Sequence, residues 1–242
     1  MIEIQNLSKK YGKLTVLNRL SLKMDAGECI ALIGPNGSGK TTLIKTILGM
    51  VLPQSGNILF EGINIQGQWT YRNEIGYMPQ IGIYPDNMSI GQVFNMMKGI
   101  RKSSRKTLDY ELYEAFEMPR LLDKKMSTLS GGTRQKVSAC LAFMFNPKVL
   151  ILDEPTAGLD PLSTEILKDK IKKEIKSNKL ILISSHVLSD LDEIVSEVIY
   201  LQEGKLVFQK SMEQLKHDTA TDKLSKAIAQ VMTDQSIQKV EL

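Results

Sequence analysis

Gly34-Pro35-Asn36-Gly37-Ser38-Gly39-Lys40-Thr41 is the stretch on which the reading of this chain turns. A Gly, four residues, then Gly, Lys and a hydroxyl residue is the pattern of a loop that wraps phosphate groups. The glycines let the backbone curl so that successive N–H groups point inward. A helix starting near Gly39 adds the positive end of its dipole to that nest. Lys40 brings a full charge to the β and γ phosphates, the Thr41 hydroxyl is a ligand for Mg²⁺, and Thr42 completes the phosphate-binding set. The flanks agree: Glu28 to Ile33 reads as a short continuous apolar strand, and Lys40 to Leu48 follows as a helix.

A phosphate loop needs a carboxylate at the end of a neighbouring buried strand to hold the metal. Val149-Leu150-Ile151-Leu152-Asp153 supplies it. Glu154 is a second acid where one suffices for the metal, so it reads as the base that polarises the attacking water. Leu180 to Ser184 is another buried strand, with His186 directly after it, before a helix running to about Val195.

Further out, Ile2 to Leu7 and Leu14 to Met24 alternate as half-buried strands and predict an antiparallel N-terminal sheet. Ile58 to Phe60 and Ile75 to Met78 are strand candidates, the second ending at Pro79-Gln80. Between Ser89 and Met118 the period becomes helical: Ser89 and Gln92 form a capping box, Ile90, Val93, Phe94 and Met97 share a face, and Leu108, Leu112 and Phe116 repeat every four residues. Ser130-Gly131-Gly132 opens a helix to Phe145, closed by Asn146-Pro147, and Asp160-Pro161 caps the next, with Leu167, Ile171 and Ile175 as its stripe. Val198 to Leu201 and Lys205 to Phe208 predict a hairpin, and the last residues are polar and weakly helical. The expectation is an α/β fold, a parallel sheet with helices on both faces and an all-helical insert in the middle.

Composition narrows the class. The 242 residues carry 31 Lys plus Arg against 27 Asp plus Glu, a net charge of +4, with 42% hydrophobic residues. That is ordinary globular composition, and so small and dispersed a charge excess argues against nucleic acid as a partner. Cys29 and Cys140 lie in apolar stretches without metal or redox spacing and read as buried thiols in a cytosolic protein. No apolar run approaches the roughly 18 residues of a membrane span, and no signal peptide is read.

Taken together, the phosphate loop, Leu129-Ser130-Gly131-Gly132, Asp153-Glu154-Pro155, Gly158-Leu159-Asp160-Pro161, Gln80 and His186 resemble, in order and spacing, the motif set of an ATP-binding cassette (ABC) ATPase. The resemblance spans about residues 1–216. It implies a P-loop NTPase core at 1–80 and 129–216 with an N-terminal antiparallel β-subdomain, an α-helical subdomain at 81–128 and a tail at 217–242. It also implies ATP and Mg²⁺ as cofactors and a head-to-tail dimer, of identical or paralogous cassettes, that sandwiches each ATP. On this pattern Ser130, Gly131 and Gly132 reach γ-phosphate across the dimer, and Asp160 lies at the dimer contact. Tyr11 stands where the family stacks an aromatic on adenine. Gln80 reaches Mg²⁺ and links insert to core, and His186 supports the attacking water.

The chain departs from the family in one place, having Thr133 where the fifth signature residue is usually Gln. Gly-Gly-Thr-Arg-Gln-Lys leans toward subunits serving ABC-2-type membrane partners, including those of nitrous-oxide-reductase maturation. The resemblance thus implies an ATPase subunit on the cytoplasmic face of the membrane, docked on separate transmembrane permease subunits through its insert. Met88, Met96, Met97, Met118 and Met126 are either a docking groove there or core packing. The alternative is an ABC ATPase without a membrane partner, such as one of iron-sulfur assembly.

Overall fold

The computed structural model describes residues 1–101, 107–185, 192–221 and 223–230. Two sheets organise them. The first is antiparallel, with order β2-β1-β4-β5, built from β1 (Ile2–Tyr11), β2 (Leu14–Met24), β4 (Ser55–Phe60) and β5 (Ile63–Asn64). The second contains β3 (Cys29–Ile33), β6 (Ile75–Met78), β7 (Val149–Asp153), β8 (Leu180–Ser184), β9 (Glu197–Gln202) and β10 (Lys205–Ser211), in the order β10-β9-β3-β8-β7-β6. Its pairs from β9 to β6 are parallel, and β10 closes the edge as an antiparallel hairpin with β9.

The strands β3, β7 and β8 are apolar without alternation because both of their faces are buried. Cys29, Ala31, Ile33, Leu150, Leu152, Ile181 and Ile183 enter one core, while Ile30, Leu32, Val149, Ile151, Leu180 and Leu182 enter the other. The first core is filled from α4 (Gly131–Phe143), α5 (Pro161–Lys176) and the insert. The second takes Leu43, Ile44 and Ile47 of α1 (Lys40–Ile47) together with the antiparallel sheet. The sheet edge at β6 leads into the insert, which starts with α2 (Ile90–Ile100). Ser89 caps α2 in a capping box with Gln92, as its sequence predicts.

The repeat Leu108, Leu112, Phe116 does not form one helix. α3 (Glu111–Ala115) is short because Asp109 ties the chain elsewhere: its N–H donates to Met144 O at 2.8 Å and its Oδ1 accepts from Glu111 N at 2.9 Å. Leu108 still packs on the core, from irregular backbone. Of the insert methionines, Met118 and Met126 are buried, Met88 and Met97 pack against the core, and only Met96 is exposed, so core packing accounts for most of them. α4 ends two residues before Phe145, and Asn146 takes a left-handed φ of 46° ahead of Pro147. The helix expected after His186 falls on residues 186–191, outside the described ones, and residues 192–194 form a turn. Beyond α6 (Met212–Thr219), residues 224–230 are helical and bury Leu224, Ala227 and Ile228, so the described part of the expected tail has an apolar face on the core.

A buried ion cluster pins the insert to the core. Lys170 on α5, only 5% exposed, contacts Asp109 at 2.5 Å, Glu174 at 2.7 Å and Glu111 at 2.9 Å. Burial alone would depress the Lys170 pKa, but these carboxylates outweigh it and hold it above the ordinary lysine value. Lys170→Met takes the lysine from Asp109, while Glu111 keeps Lys173 and Glu174 keeps Lys179, so the expected cost is about 3 kcal/mol, at the low end for a broken buried pair. Thermal unfolding should shift down by about 6–12 °C. A melting temperature within a degree of the parent would refute the assignment. Lys173 and Lys170 hold the Glu111 carboxyl below its ordinary pKa. Its contribution is therefore present above the unfolded-state pKa and is lost as pH falls through the folded-state value.

Candidate functional site

β3 runs directly into the loop 34–39, and α1 begins at its end. Gly34 has φ +153°, and a Cβ there would lie 2.1 Å from Leu201 O, so no side chain fits between the loop and β9. Gly39, the N-cap of α1, has φ +106°, and a Cβ would meet Val16 O at 2.7 Å. These close approaches turn the loop under the helix. The first helical bond is Leu43 N to Gly39 O at 2.8 Å, so by helix geometry the N–H groups of Lys40, Thr41 and Thr42 have no helical acceptor.

Ser38 Oγ is buried without a hydrogen-bond partner among the described residues, and the space where Gly37 would carry a Cβ is open. An orphaned hydroxyl beside unpaired helix N–H groups is a donor set that an anion satisfies. Lys40 lies over the same loop, donating to Gly34 O at 2.6 Å and Pro35 O at 3.1 Å. Burial lowers its pKa, with the charges of Glu154 and Asp153 opposing.

The loop forms one wall of a cavity of about 540 Å³, with Asn36 and the residues from Gly37 to Thr42 along it. Asp153, Glu154, Ser184 and Gln80 line the rest, and Leu14 and Val16 give an apolar rim. Asp153 ends β7, buried, and accepts a hydrogen bond from Ser184 Oγ at the end of β8. Burial, helped by the Asp153 charge, pushes the nearby Tyr77 phenol up to about 12. Glu154 follows in a left-handed conformation, φ 54°, its N–H donating to Ser184 O at 3.0 Å. Its carbonyl accepts from Ala157 N at 3.1 Å and from Gln135 Nε2 of α4 at 3.3 Å. Thr41, Gln80 and Asp153 are all oxygen donors, the kind Mg²⁺ takes. Among the described residues no group of three or more His, Cys, Asp or Glu could hold a metal by itself.

The structure does not bring every expected residue to this cavity. Tyr11 does not line it: it ends β1 opposite Leu14, half exposed, with Lys9 Nζ 5.1 Å from its ring centre. Ser130, Gly131, Gly132 and Asp160 are also away from the lining. Ser130 caps α4, accepting from Thr133 N at 3.3 Å, with its Oγ 2.9 Å from Thr133 Oγ1. Thr133 thus engages the serine directly despite its short reach. Asp160 caps α5 through Ser163 N at 2.9 Å and pairs with Lys136 at 2.8 Å. Lys136 and Ser163 hold its carboxyl well below the usual range. His186 lies outside the described residues.

Two features were not read from the sequence. Gln135, given no role there, is 4% exposed and bonded to Glu154. Gly132 has a packing role as well, since a Cβ there would stand 2.6 Å from Gly158 O. The buried face of α4, Gln135 among Val137, Ala139 and Cys140, was the available signal for the first. Nothing local marked the second.

The family profile described as "ABC transporter" matches residues 17–157. The lantibiotic transport ATP-binding protein SrtF of Streptococcus pyogenes is 33% identical over 215 residues, 88% of this chain and 92% of that protein. The Nod factor export ATP-binding protein I of Burkholderia orbicola is 30% identical over 210 residues, covering 85% and 69% of the two chains. Among solved structures, an ATP-binding subunit of an ABC transporter superposes with a TM-score of 0.86 at 26% identity, covering 96% of this chain and 99% of that one.

Proposed function

The chain belongs to the ABC transporter family of ATP-binding proteins, and from that membership we propose how its residues bind ATP, hydrolyse it and use the result. It is an ATP-binding subunit with the ATPase fold of that family. The observation that carries the reading is the single cavity in which the phosphate loop faces Asp153 and Glu154 while the Ser130 helix end stands outside.

The triphosphate is held by the loop N–H groups and satisfies the orphaned Ser38 hydroxyl. Lys40 exchanges its carbonyl partners at Gly34 and Pro35 for phosphate oxygens. Thr41, Asp153 and Gln80 hold Mg²⁺, which neutralises phosphate charge when bound. Glu154 orients a water and takes its proton as the water oxygen bonds to the γ phosphorus. The bond to the bridging oxygen breaks, leaving ADP and phosphate. Ser130 and Gly132 close the site from a second cassette, because one chain supplies only one side of the γ-phosphate. ATP then joins the dimer and its hydrolysis releases it. Tyr11, half exposed beside the Leu14 rim, supplies the adenine platform, and His186 supports the attacking water.

No described helix is long and apolar enough to cross a membrane. We assign the use of the closing motion to another chain. Separate permease subunits fit this need, with the cassette peripheral on the cytoplasmic face. Ile81 and Ile83, 68% and 89% exposed at the entrance to the insert, support docking there. The name of one relative, Nod factor export ATP-binding protein I, supports an export-type system. The test is affinity capture of tagged Glu154→Gln from detergent-solubilised membranes, with and without Mg-ATP. A co-purifying multi-span protein is the expected result. Recovery with soluble partners only would replace the transporter reading by that of a cassette without a membrane partner.

A further inference from the structure

We infer that Gln135 is a positioning residue for hydrolysis, holding the Glu154 main chain so that the aim of the Glu154 carboxylate follows the position of α4. This rests on the reading of Glu154 as base and of the Ser130 end of α4 as the part that meets the partner's nucleotide.

The chain reverses direction at Glu154, where a residue with a side chain adopts the left-handed φ of 54° that favours glycine. Such a conformation persists only where its surroundings over-determine it. Here the N–H is fixed by Ser184 O at 3.0 Å, and the carbonyl receives Ala157 N at 3.1 Å and Gln135 Nε2 at 3.3 Å. The first comes from the sheet and the second from the turn itself. Gln135 comes from α4, a separate element that begins at Ser130. A primary amide on the buried face of that helix, at 4% exposure, is where an apolar residue would otherwise pack, and the Glu154 carbonyl gives it an acceptor.

Two more contacts bind the same helix to the same loop. Gly132 lies so close to Gly158 that a Cβ would stand 2.6 Å from its carbonyl oxygen, and Lys136 pairs with Asp160 at 2.8 Å. Residues 132, 135 and 136 therefore grip the loop 154–160 at its beginning, its glycine and its end. A displacement of α4 when its N-terminus meets a ligand carries that loop with it, and the side chain most directly moved is the base. Assembly of one composite site is thereby transmitted to the hydrolytic group of the other.

The test uses the purified full chain with Gln135→Met, which keeps the length and removes the donor, and Gln135→His, whose ring N–H reaches a similar distance. Turnover, KM for ATP, ATP-dependent dimerisation and thermal unfolding are measured for each. Gln135→Met is expected to lower kcat by roughly 10- to 100-fold with KM unchanged and the ATP-dependent dimer longer-lived, since slower hydrolysis releases it later, and Gln135→His to recover most of the loss. Wild-type kcat in Gln135→Met, or no recovery in Gln135→His while it binds ATP normally, overturns the inference. Loss of ATP binding together with turnover in both variants assigns Gln135 to packing and also overturns it. Glu154→Gln is run alongside: if that variant turns over normally, it is the reading of the base that has failed, whatever Gln135 does.

Discussion

Glu154→Gln should hydrolyse ATP roughly 100-fold or more slowly than the parent chain while still binding it, and should accumulate as a dimer when ATP is present. Three features of the site require this. The side chain is buried at the mouth of the phosphate cavity, directly after the Asp153 strand end. Its backbone is fixed from β8, its own turn and α4, so Gln takes the same position with nearly the same shape. The capacity to accept a proton is lost together with the carboxylate charge, and with Asp153 retained beside Lys40 the shape of the site is kept. The binding determinants, the loop N–H groups, Ser38 and Lys40, lie on the opposite wall and are untouched. Single-turnover hydrolysis and size-exclusion chromatography with and without ATP measure the two effects separately. Unchanged turnover in the partner-free protein would remove Glu154 from the mechanism.

The second large effect comes from mixing two inactive chains. Lys40→Ala should weaken ATP binding by roughly 10- to 100-fold, the value of a charge-assisted contact to phosphate in a partly desolvated loop. Ser130→Arg puts a long cation where a small cap accepts from Thr133 N and should block closure on the partner's nucleotide. Each chain alone is expected to be nearly inactive. In a mixed dimer, however, the Ser130→Arg chain contributes an intact Lys40 and the Lys40→Ala chain an intact Ser130, restoring one composite site. Random pairing of equal amounts should recover at most roughly a quarter of the wild-type rate, the limit for independent sites in a two-fold dimer, and less to the extent that the blocked α4 of the Ser130→Arg chain leaves its own Glu154 poorly aimed. A verified heterodimer with no activity would refute the shared site.

The local chemistry of this chain was legible from its letters. Glycine spacing, a lysine at the head of a helix and strand ends carrying acids are short-range patterns. Each one stands for a backbone conformation or a charge that its immediate neighbours impose. The caps at Ser89, Ser130 and Asp160 were readable for the same reason, since each bonds a residue three positions away. The unbroken apolar runs that fill β3 and lead to Asp153 in β7 and Ser184 in β8 announced a sheet buried on both faces.

Other decisions needed the folded chain, because they are made by residues distant in sequence. The order β9-β3-β8-β7 brings the carbonyl of Leu201 against Gly34 and so excludes a side chain there. Asp109 leaves the helical pattern of the insert because Met144 O and Lys170 hold it, which shortens α3 against a perfectly regular apolar repeat. Gln135 has no assigned role in the sequence, and only the fold places it beside the Glu154 carbonyl, 19 residues away. Sequence alone therefore determined the phosphate-loop pattern and the strand ends that make certain groups candidates for phosphate chemistry, because these depend on side-chain type and local backbone. Tertiary structure decided how they are aimed and what moves with them, because aim depends on hydrogen bonds and close contacts that form only when separate elements pack.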